Sequence, residues 1–149
     1  MTSAAVYGTG SWGTAYASVL ADAGTSVTMW GRRQEVVDQI NAGTNEDYLP
    51  ELRLPGTIRA TTDPFEAAAG ADIVVLAVPS QTLRANLEVW GSALPSSAAI
   101  VSLMKGVELG TTRRMSEVIS EVGGVEPERV VIVSGPNLAR EIAVKQRSE

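Results

Sequence analysis

Apolar residues along the chain gather in short runs of four to six, separated by longer stretches in which they recur at helical spacing or give way to alanine. Residues 73–78 (IVVLAV) are continuously apolar, the pattern of a strand covered on both faces of a parallel sheet. Residues 4–7, 26–30, 58–61, 99–103 and 130–133 read as further strands, rich in valine, isoleucine, threonine or aromatic residues. Between them the pattern predicts helices over 14–23, 33–42, 64–69, 81–90 and 111–122, with another starting after Pro136. Punctuation agrees: Gly24 and Gly43 follow helical runs, and Asp63-Pro64 is a polar cap followed by proline at the first helical position. Residues 44–56, with Pro50 and Pro55, read as an irregular loop.

Strand and helix alternate throughout. That order predicts an α/β fold with right-handed crossovers, a doubly wound, Rossmann-type parallel sheet whose ligands lie over the carboxyl ends of the strands. With no internal linker or repeat, residues 1–149 read as a single domain, dinucleotide-binding by its first turn. The chemically suggestive residues all fall at the expected end: Gly8 to Gly13, Arg32-Arg33, Pro79-Ser80, Lys105-Gly106 and Gly135-Pro136-Asn137 each follow a strand.

Composition narrows the chemistry. Hydrophobic residues make up 44% and charged residues 19%, as in a globular α/β domain, and the net charge of −5 argues against nucleic acid or an anionic membrane as the main partner. Any phosphate must be met by local donors. Cysteine and histidine are both absent, which removes thiolate catalysis, disulfides and the usual zinc ligands and leaves lysine, carboxylates or a cofactor to carry the chemistry; no metal is expected. No apolar run reaches membrane-spanning length and the first residues do not form a signal peptide, so membrane insertion is not expected and a cytoplasmic location is.

The sharpest motif is Gly8-Thr9-Gly10-Ser11-Trp12-Gly13, set between the first strand and the first helix. Gly8 permits the tight turn, Gly10 lets a pyrophosphate approach the backbone, and Gly13 lets the helix pack on the strand. Alone, such a motif is also met as a plain glycine-rich turn; its setting favours a dinucleotide at the helix N-terminus. Where an NAD-specific fold usually carries a carboxylate, the second strand ends in Arg32 and Arg33, suited to a 2′-phosphate, so NADPH is favoured over NAD. The plainer alternative has one of these arginines pairing with Glu35. Lys105 reads as a phosphate clamp or carbonyl polariser, or as a surface lysine; Asn137 as a substrate contact or its own helix cap; Ser80 as a cap; and Trp12 as a cover for the cofactor or packing against the next loop.

Together GTGSWGTAYASVLADAG, VTMWGRR, YLPELRLP, IVVLAVPSQTLR, SLMKGVE and VSGPNLAREIA, spread over residues 4–143, resemble the bacterial-type NAD(P)-dependent glycerol-3-phosphate dehydrogenases. The resemblance implies hydride transfer between the nicotinamide and C2 of dihydroxyacetone phosphate, giving glycerol 3-phosphate for phospholipid synthesis. It implies that Ser11, Trp12, Arg32, Arg33 and Lys105 contact the cofactor, NADP or NAD, with Ala139 beside it, and that Lys105, Gly135 and Asn137 contact the substrate. The family's helical substrate domain, with its main catalytic lysine and most of the phosphate site, is expected to be absent from these 149 residues, and AVKQRSE at 143–149 departs from the family pattern. A cofactor-binding half without turnover, self-associating through uncovered apolar surface, for example as a homodimer, is the corresponding expectation. Ketopantoate and 6-phosphogluconate reductases would share the glycine turn but lack the S-x-x-K-G-x-E and S-G-P-N segments.

Overall fold

A computed structural model of the chain describes residues 2–104 and 106–133. Six strands, β1 (Ser3–Tyr7), β2 (Ser26–Trp30), β5 (Ile58–Thr61), β6 (Ile73–Leu76), β7 (Ala99–Ser102) and β8 (Val130–Ile132), form one sheet in the order β5-β2-β1-β6-β7-β8. Every pairing in it is parallel. Five helices connect them: α1 (Ser11–Asp22), α2 (Gln34–Asn41), α3 (Pro64–Ala68), α4 (Leu83–Trp90) and α5 (Met115–Gly123). The order reverses between β1 and β6, and there the loops leaving two neighbouring strands turn to opposite faces and open a crevice.

The period of two along each strand sorts the core into two layers. Ala5, Tyr7, Val74, Leu76 and Ile100 pack with Ala67 and Ala68 of α3, Leu83, Leu87 and Trp90 of α4, and Val118 and Ile119 of α5. Their neighbours Val6, Val75 and Val101 join Val27 and Met29 on the other face, under Ala15 and Ala17 of α1 and Val36 and Ile40 of α2. Burial on both sides is why residues 73–76 carry no polar position. Truncating Leu76, fully buried, to alanine costs about 2–5 kcal/mol.

Several boundaries differ from the sequence reading. Residues 44–56 are not irregular throughout: β3 (Thr44–Asn45) and β4 (Leu49–Arg53) form a small antiparallel hairpin, which tolerates Pro50 because a two-stranded sheet consists of edges. Helix α1 begins three residues earlier than expected, so Ser11, Trp12 and Gly13 are its first turn and only Gly8 to Gly10 form the loop. Helix α5 begins at Met115 rather than at 111, because the Thr111 hydroxyl donates to the Glu108 carboxylate and Thr112 sits at φ 58°, outside helical geometry. Pro79 starts a separate 3-10 turn (Ser80–Thr82) ahead of α4, so Ser80 is not the cap of that helix.

Candidate functional site

At the end of β1 the chain turns through Gly8 at φ 121°, and a Cβ there would collide with the Ala77 carbonyl at the end of β6. Gly13 is equally confined, a Cβ on it falling 2.7 Å from the Gly8 carbonyl oxygen and 3.2 Å from the Ala77 side chain. Gly10 is the opposite case: a Cβ there meets nothing within 4 Å. Two glycines are required by close packing, while the middle one keeps open the space above the turn, the arrangement needed for a phosphate to approach backbone N–H groups.

That space faces a helix end left unsatisfied by the protein. Gly10 is the cap residue of α1, no side chain caps the helix, and its first turn carries no acidic residue. The first intrahelical donor beyond the cap is Thr14, whose N–H reaches the Gly10 carbonyl at 3.0 Å. Backbone donors and the positive dipole end of a 12-residue helix therefore converge on the crevice between β1 and β6. A helix end of this kind attracts negative charge.

The turn is held from behind by the β3–β4 hairpin, a support that the sequence reading missed. Asn45, fully buried, donates from Nδ2 to the Thr9 carbonyl and to Thr14 Oγ1, both at 2.8 Å, and Thr14 Oγ1 donates onward to the same carbonyl at 3.2 Å. Asn45 Oδ1 is buried without a hydrogen-bond partner among the described residues, a feature that costs about 1–3 kcal/mol. Ser11 Oγ donates to the Tyr48 carbonyl at 2.9 Å, so this hydroxyl ties the helix to the hairpin rather than capping it. Gly31 presses on the turn from the end of β2, where a Cβ would lie 2.6 Å from the Thr9 methyl. Nothing in the hydrophobic pattern marks Asn45, which lies three residues before the YLPELRLP segment.

Arg32 and Arg33 follow β2, beside the turn, and differ from each other. Arg33 Nε donates to Glu35 at 2.9 Å and its Nη2 lies 3.9 Å from Asp47, contacts that hold its guanidinium charged. Glu35 is held below the usual carboxylate range, first by its own backbone N–H and then by Arg33. The plainer alternative thus describes Arg33. Arg32 is exposed and makes no ion pair among the described residues. Trp12 is partly buried and packs against the core layer beneath α1 and α2.

The segment after β7 is clamped by side chains. Arg84 of α4 grips Glu108 bidentately at 2.9 and 3.0 Å, and Gln81 donates to the Val107 carbonyl and accepts from the Leu109 N–H. The guanidinium and the Thr111 hydroxyl hold the Glu108 carboxyl below its ordinary range. Lys105, Gly135, Asn137 and Ala139 lie outside the described residues.

A doubly wound parallel sheet, with a glycine turn feeding an uncapped helix at its switch point, defines a Rossmann-type fold. The family model described as NAD-dependent glycerol-3-phosphate dehydrogenase N-terminus matches residues 3–149, and the chain belongs to that family. It is 60% identical over 143 residues to glycerol-3-phosphate dehydrogenase [NAD(P)+] of Streptomyces avermitilis, covering 95% of this chain and 43% of that relative. Among solved structures, glycerol-3-phosphate dehydrogenase of Coxiella burnetii superposes with a TM-score of 0.85 at 33% identity over 96% of this chain and 43% of that one. The enzyme of Saccharomyces cerevisiae gives 0.85 at 28% identity over 97% and 44%. The chain thus spans less than half the length of the relatives it matches. Among the described residues, no helix is long and apolar enough to cross a membrane.

Proposed function

We propose that the chain is the cofactor-binding part of an NAD(P)-dependent glycerol-3-phosphate dehydrogenase, binding a nicotinamide dinucleotide at Gly8 to Gly13. The observation that carries this reading is the uncapped, acid-free N-terminus of α1 opening over Gly10 at the switch point of the sheet. Backbone N–H groups of the first turn of α1 bind the pyrophosphate, and Arg32, free of a carboxylate partner among the described residues, takes the 2′-phosphate of NADPH. Arg33, neutralised by Glu35, contributes less. The cofactor, when bound, supplies the hydride exchanged with C2 of dihydroxyacetone phosphate. Lys105, Gly135 and Asn137 hold the substrate and Ala139 borders the cofactor, assignments that rest on the family resemblance. The same reading places the protein in the cytoplasm, in the supply of glycerol 3-phosphate for phospholipids.

A second statement concerns these 149 residues taken by themselves: binding without turnover. Carbonyl reduction needs a proton donor and a held substrate phosphate besides the hydride. Both belong, by the resemblance, to a helical domain outside these 149 residues. Titration with NADPH, followed by tryptophan fluorescence, should give saturable binding, and adding dihydroxyacetone phosphate should leave the absorbance at 340 nm unchanged. Absence of NADPH binding sinks the first statement. Steady oxidation sinks the second and makes Lys105 the residue to mutate. Exposed Val131 and Ile132 on β8 support self-association, a homodimer in the simplest case, which sedimentation would detect.

A further inference from the structure

We infer that Asn45 is a positioning residue for the dinucleotide site: from the β3–β4 hairpin it fixes the Thr9–Gly10 peptide so that the Gly10 N–H faces the ligand. The inference rests on the proposed role of the glycine turn. In a trans peptide the C=O and the following N–H point in opposite directions, and the bond between them is planar. No peptide bond described in this chain is cis. Holding the Thr9 carbonyl on one side therefore sets the Gly10 N–H on the other.

The carbonyl is held by both available donors. Asn45 Nδ2 reaches it at 2.8 Å and Thr14 Oγ1 at 3.2 Å, and the same Nδ2 donates to Thr14 Oγ1 at 2.8 Å, closing a three-membered network with no solvent exposure at Asn45 or Thr14. Thr9 is also blocked from behind, its side chain lying against Gly31 where no Cβ would fit. Glycine at position 10 leaves this peptide more rotational freedom than a residue with a side chain would. The freedom that admits a phosphate is the freedom that would misdirect its donor, and Asn45 removes it.

The test compares two ligands on the 149-residue chain: NADPH, which has a pyrophosphate, and adenosine 2′-monophosphate, which lacks one. Asn45→Ala should weaken NADPH tenfold or more while changing adenosine 2′-monophosphate less than twofold. Thr14→Ser, which keeps the hydroxyl, should bind both as the wild type does, and Thr14→Val should fall between. In case Asn45→Ala does not fold, the wild type carries an independent readout: on adding NADPH, the Gly10 amide proton should move downfield in a ¹⁵N-correlated spectrum, and a Gly10 resonance that does not respond overturns the inference. Equal loss of both ligands in a folded Asn45→Ala, or unchanged NADPH binding, also overturns it and leaves the glycine turn as the cofactor site. A wild-type chain that binds no NADPH overturns the site and the inference together.

Discussion

Helices α1 and α3 both start at the carboxyl end of the sheet, each just past a parallel strand, and finish their first turns in opposite ways. At α3 the Asp63 carboxylate accepts from the Phe65 and Glu66 N–H groups at 3.0 and 3.4 Å, Pro64 occupies the first helical position, and Glu66 adds negative charge to the first turn. At α1 the cap is Gly10, the first turn holds no acidic residue, and the Ser11 hydroxyl goes to the Tyr48 carbonyl. One end is satisfied by the chain; at the other, on the function proposed above, a ligand takes that place. A glycine cap costs only a few tenths of a kcal/mol and α2 and α4 also lack a side-chain cap, so what sets α1 apart is the glycine turn and the open space over Gly10. The Tyr7 hydroxyl reinforces the contrast, donating at 2.6 Å to the Pro64 carbonyl while burial, with Asp63 adding to it, raises its pKa so that it remains a neutral donor. The α3 end is built to be permanent.

The comparison breaks most completely at the glycines. Gly10→Val should abolish NADPH binding with a melting temperature close to wild type, since Gly10 has φ −72° and ψ −176°, which valine adopts, and its side chain would enter only the open space. Gly8→Ala should do the reverse and unfold the domain first: its φ of 121° alone costs about 1–3 kcal/mol, and the collision with the Ala77 carbonyl adds to that. Urea denaturation beside NADPH titration separates the two. A Gly10→Val protein that bound NADPH normally would reduce the α1 end to a structural turn.

Why the glycines were legible and the hairpin was not follows from range. Gly8, Gly10 and Gly13 are spaced within one strand-to-helix turn, which local sequence reveals even though Ala77 sets the packing on two of them, and Asp63-Pro64 caps its own helix. Strands over 26–30 and 58–61 fall where alternation and β-branching put them. Asn45 acts across 36 residues on Thr9, and its neighbours Glu46 and Asp47 make the segment look like a solvated loop. Likewise Thr111 reads as a helix start until Glu108, fixed by Arg84 from 24 residues away, draws its hydroxyl aside. Arg32 and Arg33 were indistinguishable in sequence, and only the position of Glu35 and Asp47 separates them.

That separation gives the next prediction. Arg32→Ala should weaken NADPH by about 1.5–3 kcal/mol, the scale of a charge-assisted contact, and NADH much less, whereas Arg33→Ala should cost less than Arg32→Ala. Equal losses for both cofactors would remove the 2′-phosphate from the α1 site. On the closed side of the comparison, Asp63→Ala should lower stability by about 0.5–2 kcal/mol in urea without altering the NADPH dissociation constant. A change in affinity there would mean that the two helix ends are coupled.

The smallest expected effect tests a third connection, after β7, which follows the α3 solution with charge in place of a simple cap. Glu108, 9% exposed, accepts from Arg84 and Thr111, and its pKa lies below the glutamate reference. A lowered folded pKa means that the unfolded chain binds the proton first as pH falls, so the contribution is complete above the reference value of about 4.3 and is lost as pH drops through the folded value. Wild type should therefore exceed Glu108→Gln in melting temperature at pH 7, and the gap should narrow by pH 3. Gly10→Val shares the intact Glu108 and should keep the wild-type acid profile. If Glu108→Gln retained the full difference at pH 3, the clamp would be acting through shape rather than charge, and the loop after β7 would belong with the packed glycines rather than with the capped helix.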